Sequence, residues 1–390
     1  MSRSLPKLQF IAIWLRQLQV MTSKELRQLG RDRALFIYII YIFTLDIVIA
    51  AGAINTELNQ AKLVLHDADR SAASRELIYR FQPPYFKLVG TVTDTNQGLQ
   101  WLDRGDAMLF LDIPERFATT LGQGEDEVKV QLLIDTSKAN PGFLASSYSA
   151  RILAGFDREW AERKLLQAGL DPNSMPVIEN QRRIWYNPTL NEAWYGTIAQ
   201  LLTMITVACL LLPAAALVRE KERGNIEQLL VSPLTPFQVM FSKVLAMILV
   251  TLTGTAVSLF GVMQPFFSFP INGSVPLFFA MTALYAFTTA GLGLVAATFA
   301  RNSAQVGMLV LLMVIPINIL SGDRTPLESM PLWLQYLTNV FPLRHFIEIT
   351  FGILLRGAGL DALWDSILAM ALLGSLLFGL GLWRFRRQFG

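Results

Sequence analysis

Residues 197–236 read TIAQLLTMITVACLLLPAAALVREKERGNIEQLLVSPLTP and change abruptly from apolar to charged side chains. The first part, 197–218, contains no Asp, Glu, Lys or Arg. Its length matches the roughly 20 apolar residues that a helix needs to cross the hydrocarbon core of a membrane. The charges begin at Arg219, directly after the apolar run. The stretch therefore predicts a membrane-spanning helix that ends at a strongly charged membrane surface.

The composition of the whole chain agrees with a membrane protein. Hydrophobic residues make up 53% and charged residues 16% of the 390 residues, which is less charge than is usual for a soluble protein. Between Lys243 and Arg301 there is no charged residue, a gap long enough for two spans. The net charge of +3 is small, and the basic residues lie beside apolar segments. This pattern favours lipid headgroups, and not nucleic acid, as their partners.

The residue types that carry metal or nucleotide chemistry are scarce. Cys209 is the only cysteine, so a disulfide within the chain is excluded. His66 and His345 are the only histidines and lie far apart, so we expect no metal site. The motif G-x-x-x-x-G-K-[ST], which binds nucleotide phosphates, is absent. We therefore expect no catalytic residues and no cofactor bound by this chain.

Six apolar stretches have the length and composition of membrane spans. They lie near residues 34–54, 194–218, 239–262, 275–299, 304–321 and 364–383. Residues 1–33 form a charged amphipathic segment that is too long for a signal-peptide n-region and lacks a convincing cleavage site, so we expect it to remain as an anchor. The predicted fold class is a polytopic α-helical membrane protein with six transmembrane helices.

Lysine and arginine beside the spans predict the orientation of the chain. They are concentrated in 1–33, in 219–223, at Arg301 and in the C-terminal RFRR. All of these places are cytoplasmic if the six spans are threaded from a cytoplasmic N-terminus. The uncharged turn QPFFSFPINGS, 264–274, then falls outside. Both termini are accordingly expected in the cytoplasm.

Residues 55–190 differ from the rest of the chain in their mixed charges and turn residues. DAMLFLDIP and EVKVQLLIDT are typical of strands, whereas PERFATTLGQG predicts a short helix and SSYSARILAGFDREWAERKLLQAG a long amphipathic helix. We therefore predict an inserted α/β domain at 55–190. In the predicted topology this domain is extracytoplasmic.

Asp46, in YIFTLDIVIA, is predicted to be the one charge well inside a span. Its burial in lipid would cost roughly 2.5–3.5 kcal/mol, so its carboxylate should face protein or water. Two interpretations follow. Asp46 lines a translocation path or gate, or it is a structural partner of a hydroxyl or amide on a neighbouring helix.

Residues 219–238 predict a short cytoplasmic helix between two spans. Asn225 and Gln228 have the spacing of a capping box, and TPFQ at 235–238 predicts the capped start of the next span. A rigid lever accounts for these capped ends better than a solvated loop, the other interpretation. Three apolar residues of the short helix fall on one side and need a surface to pack on: Ile226, Leu229 and Leu230.

The stretch REKERGNIEQLLVSPLTPFQVMFSKVL, 219–245, resembles the signature of type-2 ABC exporter permeases. Three other features agree with that family: the basic start with KEL at 24–26 and RDR at 31–33, the large domain after the first span, and SGDRTPLESMPLWLQYLTNVFPLRHFIEITFGILLRG at 321–357. The resemblance covers essentially the whole chain. It implies that 219–238 contains the coupling helix, which docks on an ATPase subunit, and that 325–356 forms helices that re-enter the membrane from outside.

The resemblance also implies functional residues at three places. Coupling to the ATPase is expected of Glu220, Glu222, Arg223, Gly224, Ile226, Leu229 and Leu230. The N-terminal interface helix is expected to contribute Lys24, Glu25 and Arg31. The translocation path or gate is expected to contain Asp46, Asp323 and Arg324. The last two depart from the family pattern, because many members have apolar residues after the SG pair.

The implied function is that of the permease subunit of an ATP-driven exporter in a bacterial inner membrane, with a hydrophobic or amphipathic substrate. The expected partners are a separate P-loop ATPase that holds ATP and Mg²⁺, a second permease copy or a paralogue, the lipid bilayer and a periplasmic adaptor. One alternative is a membrane-anchored receptor or assembly factor. Another is a proton-coupled transporter with Asp46 as the carrier. The substrate, and the choice between homodimer and heterodimer, stay open.

Overall fold

The computed structural model describes residues 7–53, 58–123, 128–137, 139–170, 185–188, 191–224, 234–322 and 327–389. Its contacts divide the chain into two units. One unit combines Met1–Ile54 with Arg183–Gly390 and holds the apolar helices; the other is Asn55–Arg182.

The chain begins with an amphipathic helix and the first span. Helix α1 covers Lys7–Arg31, α2 covers Arg33–Phe43 and α3 covers Leu45–Ala53. The side chain of Asp32 caps α2 by accepting a hydrogen bond from the Leu35 backbone N–H at 3.2 Å. Together α2 and α3 form the first apolar span, which is interrupted only at Thr44.

The second unit is an α/β fold. In its described part strands and helices alternate: β1 Ala61–Asp67, α4 Ala72–Tyr79, β2 Phe86–Thr91, α5 Thr95–Asp103, β3 Leu109–Ile113, α6 Phe117–Gln123, β4 Gln131–Ile134 and α7 Ala139–Gln167. The sheet order is β2-β1-β3-β4, with β1 parallel to β2 and β3, and β4 antiparallel to β3. Leu63 and Leu109 are buried on one face of the sheet, and Val64 and Phe110 on the other. Both faces are therefore covered, as expected for parallel strands.

The remaining helices carry the other spans and a group of shorter elements. They are α8 Glu192–Glu222, α9 Pro236–Ala256, a π-helical stretch Val257–Met263, α10 Gln264–Phe267, α11 Val275–Phe299, α12 Ser303–Leu320, a 3₁₀ turn Leu327–Ser329, α13 Leu332–Thr338, α14 Pro342–Leu354 and α15 Leu360–Phe389. Among the described residues six helical segments are long and apolar enough to cross a membrane. This confirms the predicted polytopic helical fold.

The third span is longer than predicted. It runs from Pro236 to Phe267, because the π-helical stretch continues α9 into α10 and takes up the first residues of the expected turn at 264–274. The helix ends at Ser268, which has a left-handed φ of 48°. The elements α13 and α14 lie in the segment expected to re-enter the membrane, and their position relative to the bilayer stays a prediction.

The core of the membrane unit is built around α8 and α11, which pack along each other, with α15 on the other side of α11. Small residues allow the close approach. A side chain on Gly293 would overlap the carbonyl oxygen of Leu210 on α8. A polar contact is buried in the same core, where the hydroxyls of Thr206 and Tyr285 lie 2.6 Å apart. Helix α8 is thus held on several sides, and its charged end is positioned by the whole bundle.

Candidate functional site

A cluster of four charges, three of them buried, lies at the charged end of α8. Lys243 on α9 is fully buried, and its Nζ lies 2.8 Å from Oε1 of Glu25 on α1 and 2.8 Å from Oε2 of Glu220 on α8. Lys24 on α1 donates a hydrogen bond of 2.9 Å to Oε1 of Glu220. Two ammonium groups therefore balance two carboxylates, which is the condition under which charges tolerate burial.

The local sequences explain how each charge reaches the cluster. Glu25 shares one face of α1 with the buried residues Met21 and Leu29, each four positions away. Lys243 is preceded by the buried Met240 and followed by the buried Val244, so α9 turns it towards the protein interior. The burial of apolar residues on α1 and α9 thus brings Glu25 and Lys243 into the protein interior.

The contacts within the cluster differ in kind. Lys243 donates a hydrogen bond to Glu25, and its Nζ also lies 2.8 Å from Oε2 of Glu220, where the opposite charges attract. Lys24 is half exposed. Burial lowers the pKa of Lys24, but the hydrogen bond and the attraction of Glu220 outweigh it and leave this pKa above its ordinary value.

Each charge of the REKE stretch contacts a different element. Arg219 NH1 lies 2.9 Å from Asp32 Oδ2, at the start of the first span. Glu220 joins the buried cluster described above. Lys221 donates to the carbonyl oxygen of Ala297 at 2.7 Å, near the end of α11, where a cation is favoured by the helix dipole. Carbonyl oxygens there are otherwise left without helical partners.

Glu222, the last charge of the REKE stretch, contacts the start of α12. Its carboxylate accepts hydrogen bonds of 2.8 Å from both the backbone N–H and the hydroxyl of Ser303. These are groups of the first helical turn, where an anion is favoured. The end of α8 is therefore tied through side chains to the first span, α1, α9, α11 and α12.

The start of α9 is tied to α1 as well. Thr235 and Gln238 form the predicted capping box, which the structure confirms. Gln238 also donates a hydrogen bond of 3.0 Å to the side-chain oxygen of Gln17 on α1. Both ends of the chain segment 225–233 therefore lead into helices that contact α1.

The predicted coupling residues differ in their position and in their contacts. Glu220 and Glu222, expected to couple to the ATPase, have partners inside the chain, and Glu220 is only 3% exposed. Arg223 is exposed, and Gly224 follows the end of α8 with a φ of 67°, a conformation that favours glycine. Ile226, Leu229 and Leu230 lie outside the described residues.

Sequence reasoning missed Lys243, although a signal was available. Lys243 lies inside the predicted third span, so the expectation that Asp46 is the one charge well inside a span is wrong. A lysine within an apolar helix needs an acidic partner, and Glu25 shares one face of α1 with the apolar residues Met21 and Leu29. Of the predicted interface residues, Lys24 and Glu25 belong to the cluster, while Arg31 is exposed at the end of α1.

Comparison with known proteins identifies the family. The family described as ABC-2 family transporter protein matches residues 33–383. The chain belongs to the ABC-2 transporter family. It is a permease, the membrane subunit of an ABC transporter. Relatives include the inner membrane transport permease YhhJ of Escherichia coli strain K12, with 33% identity over 367 residues that cover 94% of this chain and 96% of the relative.

Two further relatives match with lower identity. The probable multidrug ABC transporter permease YbhR of Escherichia coli strain K12 is 29% identical over 353 residues, covering 90% of this chain and 93% of the relative. ABC transporter G family member 20 of Dictyostelium discoideum is 29% identical over 163 residues, 40% of this chain and 22% of the relative.

Asp46 of the permease has a partner on a neighbouring helix. Gln200 on α8 donates a hydrogen bond of 2.5 Å from its Nε2 to Oδ2 of Asp46. The structural interpretation of Asp46 requires such an amide. Asp323 and Arg324, the other residues expected at a path or gate, lie outside the described residues. The residues on either side of 323–326, Gly322 and Leu327, line a cavity of about 620 Å³ that also contains Arg344, Glu348 and Phe351.

We expect Asp46→Asn to keep the thermal stability and the transport rate of the permease. The asparagine oxygen can still accept the hydrogen bond from Gln200, whereas Asp46→Leu removes the acceptor and should cost about 1 kcal/mol of folding free energy. Melting of the purified variants and transport in membrane vesicles measure the two effects. Loss of transport in Asp46→Asn with unchanged melting would show instead that the carboxylate serves the translocation path.

Proposed function

We propose that this permease works in ATP-driven export. Two permease chains, identical or paralogous, each contribute six spans, and a separate P-loop ATPase subunit holds ATP and Mg²⁺. The permease itself binds no cofactor and acts by changing the arrangement of its helices. The observation that carries this proposal is the buried charge cluster, since it joins α1 to the two spans that flank 225–233.

The cluster makes a mechanical link between the ATPase and the spans. Segment 225–233 connects α8, which carries Glu220, to α9, which carries Lys243. Because both residues contact Glu25 or Lys24 of α1, a force on this segment is expected to move α1, α8 and α9 as one body. ATP-driven closure of the ATPase subunits would supply that force, and the spans would respond by opening outward.

The orientation follows from the Lys and Arg residues beside the spans. The charge cluster, segment 225–233 and both termini are proposed to face the cytoplasm of a bacterium, and the permease to reside in the inner membrane. The α/β unit would then lie outside, where it would receive or hand on substrate, with a periplasmic adaptor as a candidate partner. No nucleic acid is expected to bind.

The substrate is proposed to be hydrophobic or amphipathic, drug-like or lipid-like. Support comes from the name of the relative YbhR, a probable multidrug permease. Substrates of this kind enter from the cytoplasm or from the inner membrane itself. Ethidium, an apolar cation, is therefore a suitable first probe of transport.

We expect Leu230→Ala to lower ATPase stimulation and transport together while membrane insertion stays intact. In the proposed coupling helix Leu230 belongs to the apolar face, and truncation at the centre of an interface weakens binding by about tenfold or more. The assay is ATP-dependent uptake of ethidium into inverted vesicles that contain the full-length permease and its ATPase.

Val231→Ala is the matched control, since helical spacing places Val231 on the opposite side of the same segment. This variant should couple normally. If Leu230→Ala binds the ATPase and exports ethidium at the unaltered rate, 225–233 is a passive connector and the proposed mechanism fails. Uptake that persists without ATP and collapses with a proton ionophore would instead identify a proton-coupled transporter.

A further inference from the structure

A basic cavity lies between the C-terminal half of α1 and the end of α8. Its volume is about 590 Å³. The charged residues that line it are Lys24, Arg27, Arg31, Asp32, Arg219 and Arg223. The cavity therefore brings five basic side chains together with a single acidic one.

The positive charge of this cavity is only partly balanced inside the chain. Lys24 is paired with Glu220, and Arg219 with Asp32. Within the described ranges the other three basic side chains have no ion-pair partner and are exposed: Arg27, Arg31 and Arg223. An anion that enters the cavity would thus meet three cations that have no carboxylate partner among the described residues, although Asp32 also lines the cavity.

Arg219 adds further positive charge to the lining of the cavity. Its NH1 contacts Oδ2 of Asp32 at 2.9 Å, which fixes the position of the guanidinium. A planar guanidinium suits a phosphate or carboxylate, which accepts two parallel hydrogen bonds from it.

The position of the cavity beside the ends of two spans favours a lipid as the source of the anion. Its residues flank Arg33, where the first span begins, and Glu222, where the second span ends, so the cavity lies at the boundary of the apolar region. On the adjoining part of α1 four large apolar side chains are exposed: Ile11, Ile13, Leu15 and Val20. Lipid phosphates occupy this level, and basic pockets between helices bind them.

We propose that this cavity binds the phosphate of an anionic phospholipid headgroup. Arg27 and Arg31 of α1 and Arg223, the residue that ends α8, contact the phosphate, and Arg219 adds positive charge to the wall of the cavity. The bound lipid thereby fastens the amphipathic helix to the charged end of the second span. The proposal concerns a lipid that stays with the permease and is independent of which substrate is exported.

The test measures lipid binding to the purified full-length permease. Phosphatidylglycerol is titrated against the detergent-solubilised protein, with phosphatidylcholine for comparison, and bound lipids are counted by native mass spectrometry. We expect the double variant Arg27→Gln/Arg223→Gln to bind phosphatidylglycerol about tenfold more weakly, since two charge-assisted contacts are lost. Arg31→Gln alone should show a smaller loss in the same direction.

Arg386→Gln/Arg387→Gln is the matched control, because it removes the same charge at exposed positions near the end of the sixth span, outside the cavity. It should leave the affinity within about twofold of the unaltered value. An equal loss of phosphatidylglycerol affinity in both double variants would mean that the lipid is attracted by the overall positive charge and binds no defined site. That result would overturn the proposal. Displacement of the lipid by millimolar inorganic phosphate would assign the cavity to a free anion and also overturn it.

One further outcome concerns a protein partner. If the Arg27→Gln/Arg223→Gln variant loses the ATPase subunit but binds phosphatidylglycerol normally, the cavity receives acidic side chains of that subunit and the lipid proposal is wrong. Melting curves of all variants check that they are folded, which we expect because Arg27, Arg31 and Arg223 are exposed.

Discussion

Lys243→Met should destabilise the permease by about 3–5 kcal/mol, the largest effect expected of any single substitution in the charge cluster. The methionine has a similar volume, but it leaves Glu25 and Glu220 buried without their shared cation. Among the described residues Glu25 then keeps only a contact of 3.7 Å to Lys24. Thermal melting of the detergent-solubilised protein and the yield of monodisperse protein would record the loss.

Lys24→Met is the matched control for Lys243→Met. Lys24 contacts the same Glu220, but its side chain is 47% exposed, so its ion pair is screened by water. Its removal should cost about 1 kcal/mol or less. Equal melting temperatures for the two variants would show that burial does not strengthen the contacts of Lys243.

A variant that also neutralises the two carboxylates distinguishes the effect of unbalanced buried charge from the effect of altered packing at position 243. In Lys243→Met combined with Glu25→Gln and Glu220→Gln, no uncompensated carboxylate is left buried. Removal of a whole buried ion group is often close to neutral for stability, so much of the stability should return. If the triple variant is as unstable as Lys243→Met, the effect arises from packing at position 243 and the electrostatic explanation is wrong.

Gly293→Ala should disrupt the contact between α8 and α11. An added Cβ would overlap the carbonyl oxygen of Leu210, and a backbone atom inside a packed helix cannot yield as a flexible side chain can. The two helices must separate, which costs about 1–3 kcal/mol and sometimes more. The change can be followed as a lower melting temperature and a smaller fraction of monodisperse protein.

Gly307→Ala, on α12, serves as the control for Gly293→Ala. The same methyl group meets nothing within 4 Å at that position, so the variant should melt at or slightly above the unaltered temperature. A normal melting temperature for Gly293→Ala would mean that α8 and α11 are not held as closely as the structure has them.

The parts of the fold that were predicted correctly depend on neighbouring residues in the chain. Membrane spans follow from apolar length alone, so all six were found from composition, although the third extends to Phe267. The capping box of Thr235 and Gln238 spans three residues and could be read directly. Basic clusters at the ends of spans were equally visible, whereas the expectation that Lys24, Glu25 and Glu220 are functional came from the family resemblance.

The contacts of individual charges were not predictable in the same way. Glu220 and Glu222 each contact another part of the same chain, which the sequence did not indicate, and their role in coupling stays a prediction. Hydropathy and helical spacing indicate where a helix ends and which residues share a face. They do not indicate which other helix that face will contact, because this depends on the rotation and depth of every helix in the bundle.

By itself the sequence determined that the chain crosses a membrane by six apolar helices and that strong charge stands at the end of the second. Only the tertiary structure decided that Lys243 meets Glu25, 218 residues earlier in the chain. The physical reason is the separation along the chain over which each interaction acts. Apolar transfer and helix capping act within one segment, whereas a buried ion pair forms only when packing has already brought two distant helices together and excluded water from between them.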